Sequence, residues 1–193
     1  VHYTSAAEGG DIVTTTTTSG LRIIDADTHL TEPVDLWTTR LPARFRADGP
    51  RVEHHEPTDT WRWRIGDRWC SLVGNYSIAG WHEPMPSCPP TLADADPACY
   101  DASARLAHMD SYGIYAQVLY PNVIAFEGHA FMALADEQLK LACVRTYNDY
   151  QSEFASAAPD RFILLSVMPF WDLDASMEEL RRCHAMGHRG MLW

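Results

Sequence analysis

Short apolar runs and amphipathic segments alternate along much of the chain. Four runs have the apolar character of buried strands, and they cover residues 21–29, 115–121, 161–170 and 188–193. Three segments carry apolar residues at helical spacing, and they cover residues 101–111, about 133–157 and 172–187. Strands that alternate with helices in this way form βαβ units, so the pattern predicts an α/β fold with a parallel sheet.

The segment from about residue 51 to residue 97 has a different pattern. In its stretch TWRWRIGDRWCSLVG, Trp61, Trp63 and Ile65 alternate with polar residues, and the turn-forming pair Gly66-Asp67 follows. This arrangement predicts a β-hairpin, and the proline-rich remainder predicts a long loop. We interpret the whole segment as an insertion after the first strand.

The order of elements restricts the choice of α/β fold. No glycine-rich phosphate-binding motif follows any strand, so a nucleotide-binding doubly wound domain is not supported. The remaining common fold is the (β/α)8 TIM barrel, which needs roughly 200–250 residues or more. We therefore predict that residues 21–193 form the first half of a TIM barrel, and that residues 1–20 form an N-terminal arm.

Composition and charge argue against several functional classes. The net charge of −11 would repel nucleic acid, and no apolar run approaches the ~18 residues of a membrane span. The five cysteines have no CxxC pair or regular spacing, which argues against a disulfide framework or zinc finger and predicts a reducing cytoplasm. The first twenty residues also lack the basic start and apolar centre of a signal peptide.

The first strand ends in three ionisable side chains, in the stretch IIDADTHLTEP. Because successive side chains of a strand face opposite sides, we expect Asp25, Asp27 and His29 to share one face. Asp27 and His29 lie at the carboxyl end, where barrel active sites form, and Asp25 lies deeper. A carboxylate and an imidazole placed there predict either a divalent metal site or a pair that hydrogen-bonds to each other or to a neighbouring loop.

A wider resemblance favours the metal. The stretches IIDADTHLTEPVDLWTTRLPARFR, RLAHMDSYGIYAQVLYPN and RTYNDYQSEFASAAPDRFILLSVMPFWDLDASMEELRRCHAMGHRGM together resemble the amidohydrolase-related family. This branch of the amidohydrolase superfamily includes aminocarboxymuconate-semialdehyde decarboxylase and the resorcylate-type decarboxylases. The resemblance implies a metal-dependent TIM-barrel enzyme whose first two metal ligands are Asp27 and His29, although many relatives carry His-x-His at this point.

The same resemblance implies that the other ligands lie outside the chain. In the family they are a histidine at the end of the fifth barrel strand and an aspartate at the end of the eighth. We therefore expect a second half of the barrel, from a longer parent chain or a partner polypeptide, to complete the site. Carboxylate and imidazole ligands suit Zn, Mn or Fe, with Zn as the first choice.

Other candidate residues follow the predicted strands. Tyr120, Asn122 and Trp171 follow strand ends and could form pocket walls that bind substrate, or they could pack loops. His129 is a candidate acid–base residue, with a surface histidine as the alternative. Glu32 could cap the short helix that Pro33 opens, or face the metal. We assign His184 and His188, at the opposite end of the barrel, to stability.

Two functions are compatible with this sequence. The first is a metal-dependent hydrolase or non-oxidative decarboxylase that acts on a small carboxylic or aromatic substrate. The second is a non-catalytic half-barrel subunit or binding module, because unpaired strand edges favour association into an oligomer. The inserted segment, with its tryptophans, is expected either to cover the barrel mouth or to pack as a satellite core.

Overall fold

The computed structural model describes residues 20–192, so the predicted arm lies outside the described residues except for Gly20. The main sheet has four parallel strands in the order β1-β5-β6-β7. These strands are β1 (Ile23–Leu30), β5 (Ile114–Pro121), β6 (Phe162–Val167) and β7 (Gly190–Leu192). Each strand lies beside the parallel strand that precedes it in the chain, which confirms the predicted α/β fold with a parallel sheet.

A second sheet of three antiparallel strands lies between β1 and β5 in the sequence. Its strands are β2 (Arg51–His55), β3 (Thr60–Ile65) and β4 (Arg68–Leu72), in that order. The β3–β4 pair, with its turn at Gly66 (φ 56°), is the predicted hairpin. The sequence analysis did not identify β2, whose residues carry no apolar alternation.

Six helices connect the strands. They are α1 (Leu36–Arg40), α2 (Ala102–Ser111), α3 (Val123–Phe126), α4 (Gly128–Met132), α5 (Glu137–Ala155) and α6 (Leu173–Ala185). The long helix α5 begins four residues later than predicted, because the Asp136 side chain accepts hydrogen bonds from the backbone of Gln138 and Leu139. The short helices α3 and α4 lie in the connection between β5 and α5.

The core lies between the main sheet and its helices. Leu30, Leu119 and Leu164 contribute buried side chains from three neighbouring strands, and Cys143 and Tyr147 contribute buried side chains from α5. Burial of each large apolar side chain is worth about 1.5–3 kcal/mol, so this layer supplies much of the stability of the main sheet. No helix among the described residues is long and apolar enough to cross a membrane.

The antiparallel sheet joins this core through one of its faces. Trp63 is only 1% exposed and packs edge-on against Trp37 of α1, with ring centroids 5.6 Å apart. Trp61 and Trp69 are exposed, and their rings contact His54 and His55 instead. The inserted segment therefore extends the protein core at Trp63.

Candidate metal centre at the carboxyl end of the first strand

A bulge in β1 separates the three ionisable side chains of this strand. Asp25 pairs with Gln117 of β5, while Thr28 pairs with Leu119, so β1 has one extra residue in this interval. The amide of Gln117 hydrogen-bonds to Asp25 (3.4 Å) and also to Arg105 of α2, which places Asp25 on the helix side of the sheet. Our expectation that Asp25 shares a face with His29 was therefore wrong, because an extra residue reverses the alternation.

Asp27 and His29 remain close after the bulge. The Nε2 atom of His29 lies 3.8 Å from Oδ1 of Asp27, and the two side chains are 33% and 86% exposed, respectively. His29 is paired with Tyr120 at the carboxyl end of β5. The structure thus brings both predicted metal ligands together at the edge of the sheet where the parallel strands end.

The other ring nitrogen of His29 faces a backbone carbonyl. Nδ1 lies 3.1 Å from the carbonyl oxygen of Pro121, which can only accept a hydrogen bond. Nδ1 must therefore carry the proton, and in the neutral imidazole Nε2 keeps its lone pair. Histidine ligands of metals are oriented in this way, by donation from the second nitrogen to a carbonyl or carboxylate.

The separation of the two donor atoms suits a metal better than a direct hydrogen bond. Metal–donor bonds of about 2.1 Å at a tetrahedral angle place the two donors ~3.4 Å apart, so a small side-chain rotation from 3.8 Å is sufficient. Within residues 20–192, no three His, Cys, Asp or Glu side chains form a cluster that could hold a metal. Asp27 and His29 therefore fit as two ligands of a larger set, and the alternative is an ion pair with a protonated imidazole.

Aromatic rings surround His29. Phe126 of α3 stacks on the imidazole, with ring centroids 5.3 Å apart and an interplanar angle of 23°, and Tyr120 lies at 5.8 Å. Tyr76, which follows β4 in the chain, stacks on Phe126 at 4.9 Å. Sequence analysis found Tyr120 at a strand end, but it missed Phe126 and Tyr76 because neither lies in a predicted strand or its immediate end.

Arg105 of α2 holds the backbone of this region. Its guanidinium donates to the carbonyl oxygens of His29 (2.8 Å), Cys99 (3.3 Å) and Ala98. Burial lowers the pKa of Arg105, as expected when water is removed from a cation. The arginine thus joins α2, the end of β1 and the segment before α2, and no sequence pattern indicated this role.

Glu32 caps a helix, but not the helix that the sequence suggested. Its completely buried carboxylate accepts hydrogen bonds from the backbone N–H groups of Val123 (3.0 Å) and Ile124 (3.3 Å), at the start of α3. Burial raises the pKa of Glu32 to about 7, against the opposing effect of these hydrogen bonds. Glu32 therefore positions the helix that carries Phe126.

The remaining predicted site residues are less closely placed. Asn122 is only 2% exposed, and its side-chain nitrogen donates to Thr31 Oγ1 (3.1 Å) and to the carbonyl of Tyr76 (3.3 Å). Of the two roles predicted for Asn122, these hydrogen bonds favour loop packing. The engaged amide leaves little surface for a ligand.

Trp171 and His129 have surroundings that differ from those of His29. Trp171 packs against the core, with the Lys140 ammonium 5.1 Å from its ring. His129 lies in α4. In the described part of the chain, no hydrogen bond, ion pair or ring contact joins either residue to His29.

A cavity of about 350 Å³ opens beside His29. Its walls come from β1, from α2 and from the inserted segment, through residues that include Thr28, Tyr76, Ile78, Ala79 and His108. Such a volume accommodates a small organic molecule. The inserted segment therefore contributes to this cavity through its later part, rather than through the tryptophans of its hairpin.

Comparison with known proteins finds partial sequence similarity to decarboxylases. No protein-family model matches the chain. Gamma-resorcylate decarboxylase of Rhizobium sp. (strain MTP-10005) is 35% identical over 79 residues, which cover 41% of this chain and 23% of that protein. Part of the chain is thus similar in sequence to a decarboxylase. A second such decarboxylase, 2-amino-3-carboxymuconate-6-semialdehyde decarboxylase of Dictyostelium discoideum, is 27% identical over 124 residues, or 60% of this chain and 33% of that protein.

Two solved structures have a fold similar to that of this chain. An amidohydrolase from Mycobacterium avium subsp. paratuberculosis K-10 matches with a TM-score of 0.66 and 24% identity, over 88% of this chain and 48% of that one. A 5-carboxyvanillate decarboxylase from Novosphingobium aromaticivorans DSM 12444, which contains bound manganese, matches with a TM-score of 0.52 and 19% identity. The chain thus spans less than half the length of these relatives.

Proposed function

We propose that this chain is the first half of a TIM-barrel, metal-dependent non-oxidative decarboxylase that acts on a small aromatic carboxylate. The observation that carries the proposal is the pair of Asp27 and His29, with the Nε2 lone pair of His29 directed towards the carboxylate. The related gamma-resorcylate and aminocarboxymuconate-semialdehyde decarboxylases support decarboxylation over hydrolysis. In this proposal residues 21–193 are the half-barrel, and residues 51–97 are its insertion.

Asp27 and His29 would hold a divalent metal ion. Such an ion binds and polarises the carboxylate or phenolate oxygens of the substrate. The Pro121 carbonyl keeps the imidazole in the tautomer that exposes Nε2, and Tyr120 offers an aromatic surface to a flat substrate. Manganese is the first ion to test, because the 5-carboxyvanillate decarboxylase contains it, and zinc is the second.

We propose that the remaining groups come from the second half of the barrel. Decarboxylation requires a proton at the carbon atom that loses CO2, and a positioned acid must supply it. We assign this acid to the other half and keep His129 as the alternative, since among the described residues no hydrogen bond, ion pair or ring contact joins His129 to His29. The second half would also supply the further metal ligands.

Matched substitutions on β1 test this function. Asp27→Asn and His29→Gln should each lower the metal content and reduce gamma-resorcylate decarboxylation by roughly 100-fold or more, in protein that contains both halves of the barrel. Asp160→Asn is the control, because Asp160 is exposed in the turn before β6, at the end of the parallel sheet opposite to Asp27 and His29. Elemental analysis and the release of CO2 are the two measurements. If Asp27→Asn and His29→Gln both keep the metal content and the activity of wild type, the alternative of a non-catalytic half-barrel subunit is favoured.

A further inference from the structure

Outside the metal pair, three side chains form a continuous series of contacts that ends at His29. We call these residues, Glu127, Tyr76 and Phe126, the support of His29. Glu127 accepts a hydrogen bond from the Tyr76 hydroxyl (3.0 Å) and another from the backbone N–H of Ser71 (2.9 Å). The Tyr76 ring stacks on Phe126 (4.9 Å, 14°), and Phe126 stacks on His29 (5.3 Å, 23°). Among the described residues, no ring contact joins Tyr76 directly to His29, so Phe126 bridges them.

Burial alone does not account for this arrangement. Phe126 is 54% exposed, so its ring contributes much less to the core than a buried phenylalanine would. Its hydrophobic contribution would be larger if the ring turned inwards, beside the buried Val123 and Ile124 of the same helix. Stacking against two rings instead holds it at the carboxyl end of β1, where the imidazole of His29 lies.

The far end of this support is anchored by a charge. Burial by itself would raise the pKa of Glu127, but hydrogen bonds from Ser71 and Tyr76 outweigh it and lower the pKa. Glu127 is therefore held as a carboxylate, and a hydrogen bond to a carboxylate is stronger than one between neutral groups. The backbone of Tyr76 is also held, because its carbonyl accepts from the Asn122 amide.

We propose that Glu127, Tyr76 and Phe126 act as positioning residues that fix the ring plane of His29 for metal binding. The hydrogen bond to Pro121 selects the tautomer and restricts rotation about the Cβ–Cγ bond, but the imidazole can still swing within the range that keeps this one hydrogen bond. The stacked Phe126 ring limits that swing. The segment after β4 thereby contributes to a metal ligand of β1, and this inference rests on the proposed function.

Imidazole nuclear magnetic resonance tests the support in the chain as it is, without added metal. At a pH where the imidazoles are neutral, His29 should show the Nδ1–H tautomer and ring protons shifted upfield by Phe126. Phe126→Leu should abolish that shift, and Tyr76→Phe should reduce it, because the phenylalanine keeps the ring but loses the hydrogen bond to Glu127. His29→Gln assigns the signal.

A second histidine provides the matched control. Tyr112 stacks on His108 at 4.7 Å and 19°, so Tyr112→Leu should move the His108 signals and leave those of His29 unchanged. Affinity for Mn²⁺, measured in protein with both barrel halves, should fall about tenfold in Phe126→Leu and stay unchanged in Tyr112→Leu.

These measurements distinguish a failure of the positioning proposal from a failure of the proposed metal function. If His29 signals are the same in wild type, Phe126→Leu and Tyr76→Phe, the support is overturned, even if His29→Gln abolishes Mn²⁺ binding. If the signals move as expected while Asp27→Asn and His29→Gln leave Mn²⁺ binding unchanged, the proposed metal function fails and the support remains. If Phe126→Leu does not fold, the conservative Tyr76→Phe variant decides.

Discussion

The carboxyl group of Glu32 is completely buried and has a pKa of about 7, above the 4.5 of an exposed glutamic acid. The folded state therefore binds this proton more tightly than the unfolded state does. The resulting stabilisation is fully present below pH 4.5 and is lost as the pH rises to about 7. A shift of this size corresponds to roughly 3 kcal/mol at most.

Glu32→Gln removes this titration. We expect the free energy of unfolding of wild type, relative to Glu32→Gln, to decrease as the pH rises from about 4.5 to about 7. Urea unfolding of both proteins at several pH values measures this difference, in which the other carboxyl groups cancel. A difference that is constant across this range would show that Glu32 titrates normally.

His188 should give a pH dependence of the opposite sign. Burial lowers its pKa to about 4, from an ordinary value of 6.5, while its Nε2 atom lies 2.9 Å from Ser152 Oγ. Its contribution is present above pH 6.5 and is lost as the pH falls towards 4, up to roughly 3 kcal/mol. His188→Asn should remove this loss in acid urea titrations. The exposed His184→Asn should behave like wild type, and equal behaviour of both variants would contradict the assignment.

At the scale of elements, the two faces of the antiparallel sheet should differ in their contribution to stability. Trp63 is buried against Trp37, whereas Trp61 on the same strand is 47% exposed. We expect Trp63→Ala to lower the free energy of unfolding by about 3–5 kcal/mol, because it leaves a cavity in the core. Trp61→Ala should cost about 1 kcal/mol or less in the same urea titration. If Trp63→Ala and Trp61→Ala lower the free energy of unfolding equally, β3 does not pack on the core through Trp63.

Helices and strands could be predicted from the sequence where the pattern of apolar residues within one element was sufficient to identify it. Apolar periodicity located the four parallel strands and the helices α2, α5 and α6, because each buries one continuous surface. The D-x-H pattern also located Asp27 and His29. Strand alternation failed at Asp25, because a bulge depends on pairing with β5 and not on the residues of β1 alone.

The supporting contacts of the site could not be predicted in this way. Arg105 of α2 and Phe126 of α3 contact His29 directly, and Tyr76 contacts Phe126, although these partners lie far apart in the sequence. Glu32 also depends on a distant partner, since it caps a helix that begins 91 residues further along the chain. Long-range pairings of this kind are set by the packing of the whole fold, so periodicity and spacing carry no signal for them.

At the scale of the whole molecule, the main sheet has two outer strands, each with a single neighbour in the described residues. β1 exposes the large apolar side chains of Ile23 and Ile24, and β7 exposes that of Met191. An outer strand with apolar side chains is a surface on which another strand can pair. The net charge of −11 opposes such pairing between two copies of the chain, because like charges repel.

We therefore expect the isolated chain to self-associate, and to do so more strongly as salt screens the repulsion. Sedimentation velocity over a range of protein and salt concentrations measures this. Ile24→Lys should weaken the association, since a lysine on an outer strand disfavours strand pairing. Leu173→Lys, which changes an even more exposed apolar residue on α6, should not. If the chain stays monomeric under all these conditions, the exposed apolar side chains of β1 and β7 do not promote strand pairing, and the expectation is contradicted.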